Sequence, residues 1–314
     1  MMKIAFRRGR FWGLHFHPNH WVLLLIGLAW LAASPPVLAE DQPGFKRTED
    51  VIYGRKFGTA LTLDVFQPTK PNGFGLVVIM SGGFFSSHDW INPALFEVYL
   101  KRGYTVFAVV HGSQPKFIIP EAQQDLHRAV RFIRSHAAEY GVEPNRIGVT
   151  GASAGGHLSL TLATQGGPGD AQAKDPIDRN SSAVQAVACF FPPTDLLNYG
   201  KPGEDAVGIG ILKDFKPAFG PRSDTAESRQ IFGKEISPIY HLNSNLPPIL
   251  IIHGDADKLV PFSQAETFIQ RAQAFGTPAK LVRREGKEHG WPDIAKDMEL
   301  CADWFDQYLR GIKQ

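Results

Sequence analysis

Cysteine is nearly absent from this 314-residue sequence, which has only Cys189 and Cys301. A chain of this length with two cysteines is not a disulfide-stabilised scaffold, so its stability must come from a hydrophobic core. One cysteine lies in a predicted strand and the other in the last predicted helix. Two buried thiols and a single disulfide are equally compatible with these positions.

Neither sign of charge is in excess. The sequence contains 33 Lys and Arg against 31 Asp and Glu, and four of the basic residues lie in positions 1–39, which have no acidic residue. Residues 40–314 are therefore slightly acidic overall. No basic face built for DNA or RNA follows from this balance, and we expect no nucleic-acid partner.

Long hydrophobic runs are also missing, since the longest, at residues 21–33, has 13 residues and is too short to cross a bilayer. Basic residues precede it, and Val37-Leu38-Ala39 follows as a small-residue cleavage site before Glu40. This order is typical of a secretory signal peptide. We expect residues 1–39 to be removed on export, leaving a secreted or periplasmic protein without a membrane span. An uncleaved interfacial anchor is the alternative, and the export route stays open.

The sequence does have a regular alternation of short apolar runs and amphipathic segments. The runs at 74–80, 104–110 and 147–150 are typical of buried parallel strands, and a helical pattern begins at Pro120 and ends before Gly141. Strand–helix alternation predicts an α/β fold with a doubly wound, mostly parallel sheet. We expect a single domain over residues 40–314, with further strands at 51–55, 61–66, 184–191, 247–253 and 280–283 and a closing helix at 294–308.

Residues 196–236 interrupt this alternation. The stretch is 41 residues long, has few regular signals and carries Ile209, Ile211, Phe215 and Phe219. So long an insertion in a compact domain is either a functional lid or a disordered loop. We expect a short lid-like insertion, with the disordered loop as the alternative.

A nucleophile is indicated by Gly151-Ala-Ser153-Ala-Gly155, which follows the strand at 147–150 and begins a helix. A sharp strand-to-helix turn exposes the hydroxyl of Ser153, and the glycines on either side avoid Cβ clashes. The positive end of the helix faces the place where an oxyanion would form. For the motif alone, a glycine-rich loop without chemistry is the alternative.

A base and an orienting acid follow the serine in the chain order that such a hydrolase requires. Asp257 and His289 each come directly after a predicted strand. The imidazole can take the serine proton while the carboxylate fixes its tautomer. Taken singly, Asp257 could be a helix cap and His289 a surface histidine, and Asp255 is a rival acid.

Metal binding is the other chemistry that this region suggests. His253, Asp255 and Asp257 alternate along the end of a strand and could share a face, but no second cluster of His or Cys completes a site. We therefore expect no metal and no cofactor. His157, one helical turn after Ser153, is expected to pack or hydrogen-bond inside the domain.

These residues resemble the α/β-hydrolase superfamily, specifically the bacterial esterases similar to hormone-sensitive lipase and the feruloyl esterases. The family's usual His-Gly-Gly-Gly oxyanion motif is Ser81-Gly82-Gly83-Phe84 here. By position, the oxyanion donors would be the backbone N–H groups of Gly83, Phe84 and Ala154, although Phe84 must adopt a conformation that glycine takes more freely. The resemblance covers nearly all of residues 40–314 and rests on the segments 61–65, 129–134, 151–158, 193–195, 253–261 and 289–291.

The resemblance implies a serine hydrolase that cleaves carboxylic esters through an acyl-enzyme, with a small-molecule or polysaccharide ester carrying acetyl or feruloyl groups as substrate. Phe85 and Trp291 are candidates for an aromatic wall against a sugar or aryl group, with simple loop packing as the alternative. A serine peptidase similar to the prolyl oligopeptidases is the main rival, although no propeller domain is expected before the hydrolase domain. A non-catalytic binding protein of the same fold agrees less well with an intact Ser153, Asp257 and His289.

Overall fold

One eight-stranded sheet organises the computed structural model, which describes residues 44–312. The predicted signal peptide at 1–39 lies outside these residues. The strand order is β1-β2-β4-β3-β5-β6-β7-β8; β2 runs antiparallel to β1 and β4, and the other neighbours are parallel. The doubly wound, mostly parallel sheet is therefore confirmed. The strands are β1 (Phe45–Lys56), β2 (Thr59–Pro68), β3 (Gly75–Ile79), β4 (Thr105–Val109), β5 (Ile147–Ala152), β6 (Ala186–Phe190), β7 (Ile249–Gly254) and β8 (Ala279–Arg284).

The first two strands are longer than the sequence predicts because they form an antiparallel ribbon. Phe57 and Gly58 join them with φ angles of 46° and 74°. Two successive positive φ angles are what a two-residue hairpin needs to match the twist of its strands. Ladder hydrogen bonds extend the ribbon past its apolar segments.

Helices cover both faces of the sheet. The helices are α1 (Glu97–Lys101), α2 (Ile119–Ser135), α3 (Ala154–Gln165), α4 (Lys216–Phe219), α5 (Ala226–Ile236), α6 (Ser263–Ala274) and α7 (Met298–Phe305). Helices α2, α3 and α6 contribute buried side chains to one apolar core, while α1 and α7 contribute to the core on the opposite face. None of the helices in residues 44–312 combines the length and hydrophobicity needed to cross a bilayer.

The two cysteines are separate buried thiols. The side chain of Cys189, on β6, packs into one core, whereas Cys301, on α7, packs into the core on the other face. The sheet thus lies between the two thiols. Of the two alternatives that the sequence left open, a disulfide or two free thiols, the structure shows two free thiols.

The stretch 196–236 is an ordered helical cover, and not a disordered loop. It contains α4, α5 and two short 3₁₀ helices, Gly210–Phe215 and Pro221–Ser223. Its side chains join the core over α3; Phe219 and Phe232 are fully buried. The sequence pattern gave few signals of this helical structure because helices of one or two turns show little hydrophobic periodicity.

Candidate active site

Ser153 lies in the sharp turn between β5 and α3, with φ 55° and ψ −119°. A non-glycine residue reaches this backbone region only when its surroundings hold it there. Its N–H donates to Phe190 O over 3.0 Å. A Cβ on Gly151 would lie 2.5 Å from the carbonyl oxygen of Gly155, and one on Gly155 would lie 2.9 Å from Ile79 O. Both flanking glycines are thus required by close backbone approach.

The structure brings Ser153, His289 and Asp257 together in a hydrogen-bonded chain. His289 Nε2 lies 2.9 Å from Ser153 Oγ, and His289 Nδ1 lies 2.7 Å from Asp257 Oδ2. Since a carboxylate only accepts, Nδ1 carries the proton and donates it, which leaves Nε2 free to accept from the serine hydroxyl. This tautomer is the one in which an imidazole can act as a base toward a serine.

Asp257 is held ionised by a dense set of donors. Its Oδ1 accepts from the N–H groups of Leu259 and Val260, both at 2.9 Å, and Oδ2 accepts from His253 Nε2 at 3.2 Å. Burial alone would raise the pKa of this carboxyl, but the hydrogen bonds from His253 and His289 outweigh it and hold the pKa well below its usual value. His253 therefore supports the acid from the buried side, a contact that the sequence analysis missed.

The rival acid, Asp255, faces away from the imidazole. Its carboxylate accepts from Arg283 Nε at 2.6 Å and from Gly286 N at 2.6 Å. These bonds lower the pKa of Asp255 and engage both of its oxygens. His253, Asp255 and Asp257 consequently do not converge on a common point as a metal site would require.

Another group of possible metal ligands in the described part of the chain is Asp50, Asp64 and His88. The buried carboxylate of Asp64 is already paired, because Arg47 donates to its Oδ2 from Nε at 2.9 Å and from a terminal nitrogen at 2.6 Å. A guanidinium at this distance repels a cation. The group is explained as an ion pair that joins β1, β2 and the loop after β3.

The segment 81–84, called the oxyanion loop below because the sequence predicts oxyanion donors there, follows β3 and lines a pocket with Ser153. Gly83 and Phe84 have φ angles of 55° and 63°. Among residues 44–312, the backbone N–H groups of Gly83, Phe84 and Ala154 have no protein acceptor. Unpaired N–H groups next to a serine are the donors that an oxyanion needs.

A small apolar pocket opens beside Ser153. Tyr199, Leu212 and Phe215, all from the 196–236 cover, line it together with the oxyanion loop and Val260. Its cavity volume is about 20 Å³, enough for one methyl- or water-sized group. A larger groove, about 460 Å³, runs between β8 and α7 and contains no member of the Ser153 chain.

The two predicted aromatic wall residues differ in position. Phe85 is 40% exposed, whereas Trp291 is 7% exposed and donates its indole N–H to Asp297 at 2.8 Å. Trp291 packs against Phe191, whose ring lies 4.6 Å from the His289 ring, and it does not line the pocket. Packing, the alternative considered for the aromatics, therefore describes Trp291, and Phe191 is the aromatic residue that contacts the imidazole.

His157 is fully buried, as expected for a packing residue. Its Nδ1 lies 3.1 Å from Pro193 O, and its ring meets that of Phe84 edge-on at 5.5 Å. Burial lowers the pKa of His157 to about 4, so the ring is neutral. Its ring packs on Phe84 of the oxyanion loop, and within residues 44–312 its side chain makes no hydrogen bond to Ser153 or His289.

Comparison with known proteins agrees with this geometry. A family model described as BD-FAE matches residues 63–271. The chain is 27% identical to the probable carboxylic ester hydrolase LipM and 30% identical to Esterase LipQ, both of Mycobacterium tuberculosis, over 71% of its length. It spans about half of these relatives, 51% of LipM and 52% of LipQ.

Solved structures show the same fold. A truncated carbohydrate esterase from gut microbiota has a TM-score of 0.72 at 24% identity, covering 86% of this chain and 99% of that one, which speaks for the fold alone. Esterase 2 of Thermogutta terrifontis has a TM-score of 0.64 at 25% identity, covering 85% and 93%.

Proposed function

The chain belongs to the BD-FAE family, and we propose that it is an exported serine esterase that removes short acyl groups, foremost acetyl, from a carbohydrate or another small alcohol. The observation that carries the proposal is the pair of hydrogen bonds, 2.9 and 2.7 Å long, that join Ser153 to Asp257 through His289. The similarity to a probable carboxylic ester hydrolase and to an esterase supports ester cleavage as the reaction.

In the proposed reaction, Ser153 Oγ attacks the ester carbonyl and passes its proton to His289 Nε2. The N–H groups of Gly83, Phe84 and Ala154 stabilise the negative oxygen of the tetrahedral intermediate. The imidazolium, stabilised by Asp257, then gives its proton to the departing alcohol, and an acyl-enzyme is left. Water, deprotonated by the same imidazole, attacks the acyl carbon, and the carboxylic acid leaves as Ser153 recovers its proton.

The pocket size favours acetyl over feruloyl as the acyl group. A cavity volume of about 20 Å³ suits the methyl of an acetyl group better than the aromatic ring of a feruloyl group. The same limit opposes the peptidase alternative, since a prolyl side chain at the scissile bond needs room for a five-membered ring. Phe215 and Leu212 set this limit from the 196–236 cover, which we propose acts as a lid over the acyl side.

The alcohol side of the site supports a sugar as leaving group. Phe85 and Trp90 are 40% and 38% exposed. Trp90 lies beside the oxyanion loop, where a Cβ on Gly82 would be 3.6 Å from its ring. Exposed aromatic faces next to an ester site suit the apolar face of a sugar ring.

A direct competition of substrates tests the proposal. Purified protein is assayed on 4-nitrophenyl acetate, butyrate and octanoate, methyl ferulate, acetylated xylan and a proline-containing peptide amide. We expect kcat/KM for acetyl esters to exceed that for octanoate and ferulate by at least about tenfold, with about a 1.4 kcal/mol difference in transition-state binding. Peptide turnover above every ester would move the protein to the peptidases. Absence of any turnover would favour a binding role.

Export is tested separately, because it rests on residues 1–39. We propose that the mature protein is secreted or periplasmic and begins at Glu40. Mass spectrometry of the exported protein should find that N-terminus. Recovery of the intact chain on membranes would favour the uncleaved anchor.

A further inference from the structure

We propose that Gln114 is a positioning residue that orients the oxyanion loop, and that His111 helps it to hold this loop against the segment after β4. The inference rests on the proposed esterase function and concerns how its oxyanion donors are aimed.

The side chain of Gln114 holds the peptide that carries one donor. Its Nε2 donates to Gly83 O at 2.5 Å, and Gln114 is 4% exposed. The carbonyl of Gly83 and the N–H of Phe84 belong to one planar trans peptide and point in opposite directions. Fixing this carbonyl toward Gln114 therefore fixes the Phe84 N–H on the other side of the loop.

The backbone of Gln114 adds a second contact. Its N–H donates to Phe84 O at 3.3 Å. The next peptide of the loop is therefore held from the same side. Both carbonyls are thus satisfied within the protein, while the N–H groups of Gly83 and Phe84 have no acceptor among residues 44–312.

His111 ties the start of the loop. Its Nδ1 lies 2.8 Å from Gly112 O and must donate to it, so Nε2 accepts from the Ser81 hydroxyl at 2.8 Å. Burial lowers the pKa of His111 to about 4, which keeps this tautomer neutral at ordinary pH. The segment 111–114, which follows β4, thus holds the loop at two places. His111 binds Ser81, and Gln114 binds the carbonyls of Gly83 and Phe84.

The topology explains why these segments meet. Strands β3 and β4 are parallel neighbours, with Ile79 paired to Val109, so the loops after them leave the sheet side by side. From the opposite side, the buried Phe84 ring packs edge-on against His157 at 5.5 Å and Phe219 at 6.3 Å. Side-chain burial anchors Phe84, and Gln114 sets the rotation of the peptide before it.

The test uses Gln114→Met, which keeps length and volume but removes the donor. We expect kcat for 4-nitrophenyl acetate to fall by about 10- to 100-fold, somewhat less than loss of a whole oxyanion donor, with KM within about twofold of wild type. Inhibition by a trifluoromethyl ketone, whose adduct with Ser153 carries an oxyanion, should weaken by a similar factor. Active sites are counted by fluorophosphonate titration so that the rates refer to folded protein.

Two further variants keep the result interpretable. Gln114→Glu has the same shape, and its ionised carboxylate cannot donate to Gly83 O and repels it. Because burial raises the pKa of such a carboxyl, kcat is measured up to about pH 9 and should fall at least as far as in Gln114→Met once the carboxyl ionises. Gln123→Met is the matched control, because Gln123 is also buried and donates to Thr161 and to Ile236 O outside the site. Its kcat per titrated site should equal that of wild type.

A fall in kcat of less than about tenfold per titrated site in Gln114→Met and Gln114→Glu would overturn the inference. So would an equal loss in Gln123→Met, since that would mean only general destabilisation. Failure of wild-type protein to turn over any ester would instead reject the proposed function, and the two results cannot be confused.

Discussion

Ser153 and Phe84 line the same small pocket, and both hold φ in the left-handed region, at 55° and 63°. Each such conformation costs on the order of 1–3 kcal/mol for a residue with a side chain. Close-packed glycines constrain the serine turn, whereas a buried ring and Gln114 constrain Phe84. Together the two strained residues place a hydroxyl beside unpaired N–H groups.

The first prediction concerns the nucleophile. Ser153→Ala should lower kcat for acetyl esters by roughly 10⁶ because no other hydroxyl is bonded to His289 in residues 44–312. Circular dichroism and Tm should stay close to wild type. Ser159→Ala is the control and should remain active, because Ser159 is a buried serine of α3 whose hydroxyl donates to Gly155 O. Fluorophosphonate labelling at a serine other than Ser153 would contradict the assignment.

The second prediction separates two acids in one loop. Asp257→Asn should lower kcat on the order of 10⁴, because an amide N–H opposite His289 favours the wrong tautomer. Asp255→Asn should leave kcat within about threefold of wild type, since Asp255 bonds to Arg283 and Gly286 N instead. The comparison is made at saturating acetyl ester. A larger loss in Asp255→Asn would reverse the assignment.

The strand-end positions of Ser153, Asp257 and His289 could be predicted because parallel strands deliver their following residues to one edge of the sheet. Short continuous apolar runs made the central strands easy to place, and the Gly-x-Ser-x-Gly motif placed the serine in the turn after its strand. The parallel arrangement of these strands brings the three side chains within hydrogen-bonding distance of each other. The local sequence pattern was therefore sufficient to predict these three residues, because each one follows a strand.

Other parts of the site depend on contacts between distant segments. Nothing near Gln114 in the sequence indicates that its amide reaches Gly83, since the contact arises from the pairing of β3 with β4. Trp291 follows His289 closely, yet the hydrogen bond to Asp297 turns its indole into the core. The pocket beside Ser153 is lined in part by residues of the 196–236 cover, whose short helices carry too little periodicity to place Phe215.

The third prediction is a loss of stability in mild acid. Burial, and secondarily Arg131, lowers the pKa of His127 to about 4, against about 6.5 in the unfolded chain. Between pH 6.5 and about pH 4 the unfolded chain therefore binds the proton and the folded chain does not. The free energy of unfolding consequently decreases as the pH is lowered through this range. His111 and His157, also near 4, act in the same direction. Urea unfolding of His127→Gln between pH 6 and 5 should show a slope about 1 kcal/mol per pH unit smaller than wild type; equal slopes would contradict it.

The last prediction concerns acyl length. The Phe215 ring lies against the oxyanion loop, so closely that a Cβ on Gly83 would be 2.5 Å from it, and it lines the pocket beside Ser153. Phe215→Ala should open room for two further methylenes, each worth about 0.8 kcal/mol when buried, and raise the butyrate-to-acetate ratio of kcat/KM by about tenfold. Ile231→Ala, in α5 of the same cover but 68% exposed, is the matched control and should leave the ratio unchanged. The ratio is measured on 4-nitrophenyl esters with titrated active sites. If Phe215→Ala keeps the wild-type ratio, the acyl chain does not enter this pocket, and the preference for acetyl must be set on another side of Ser153.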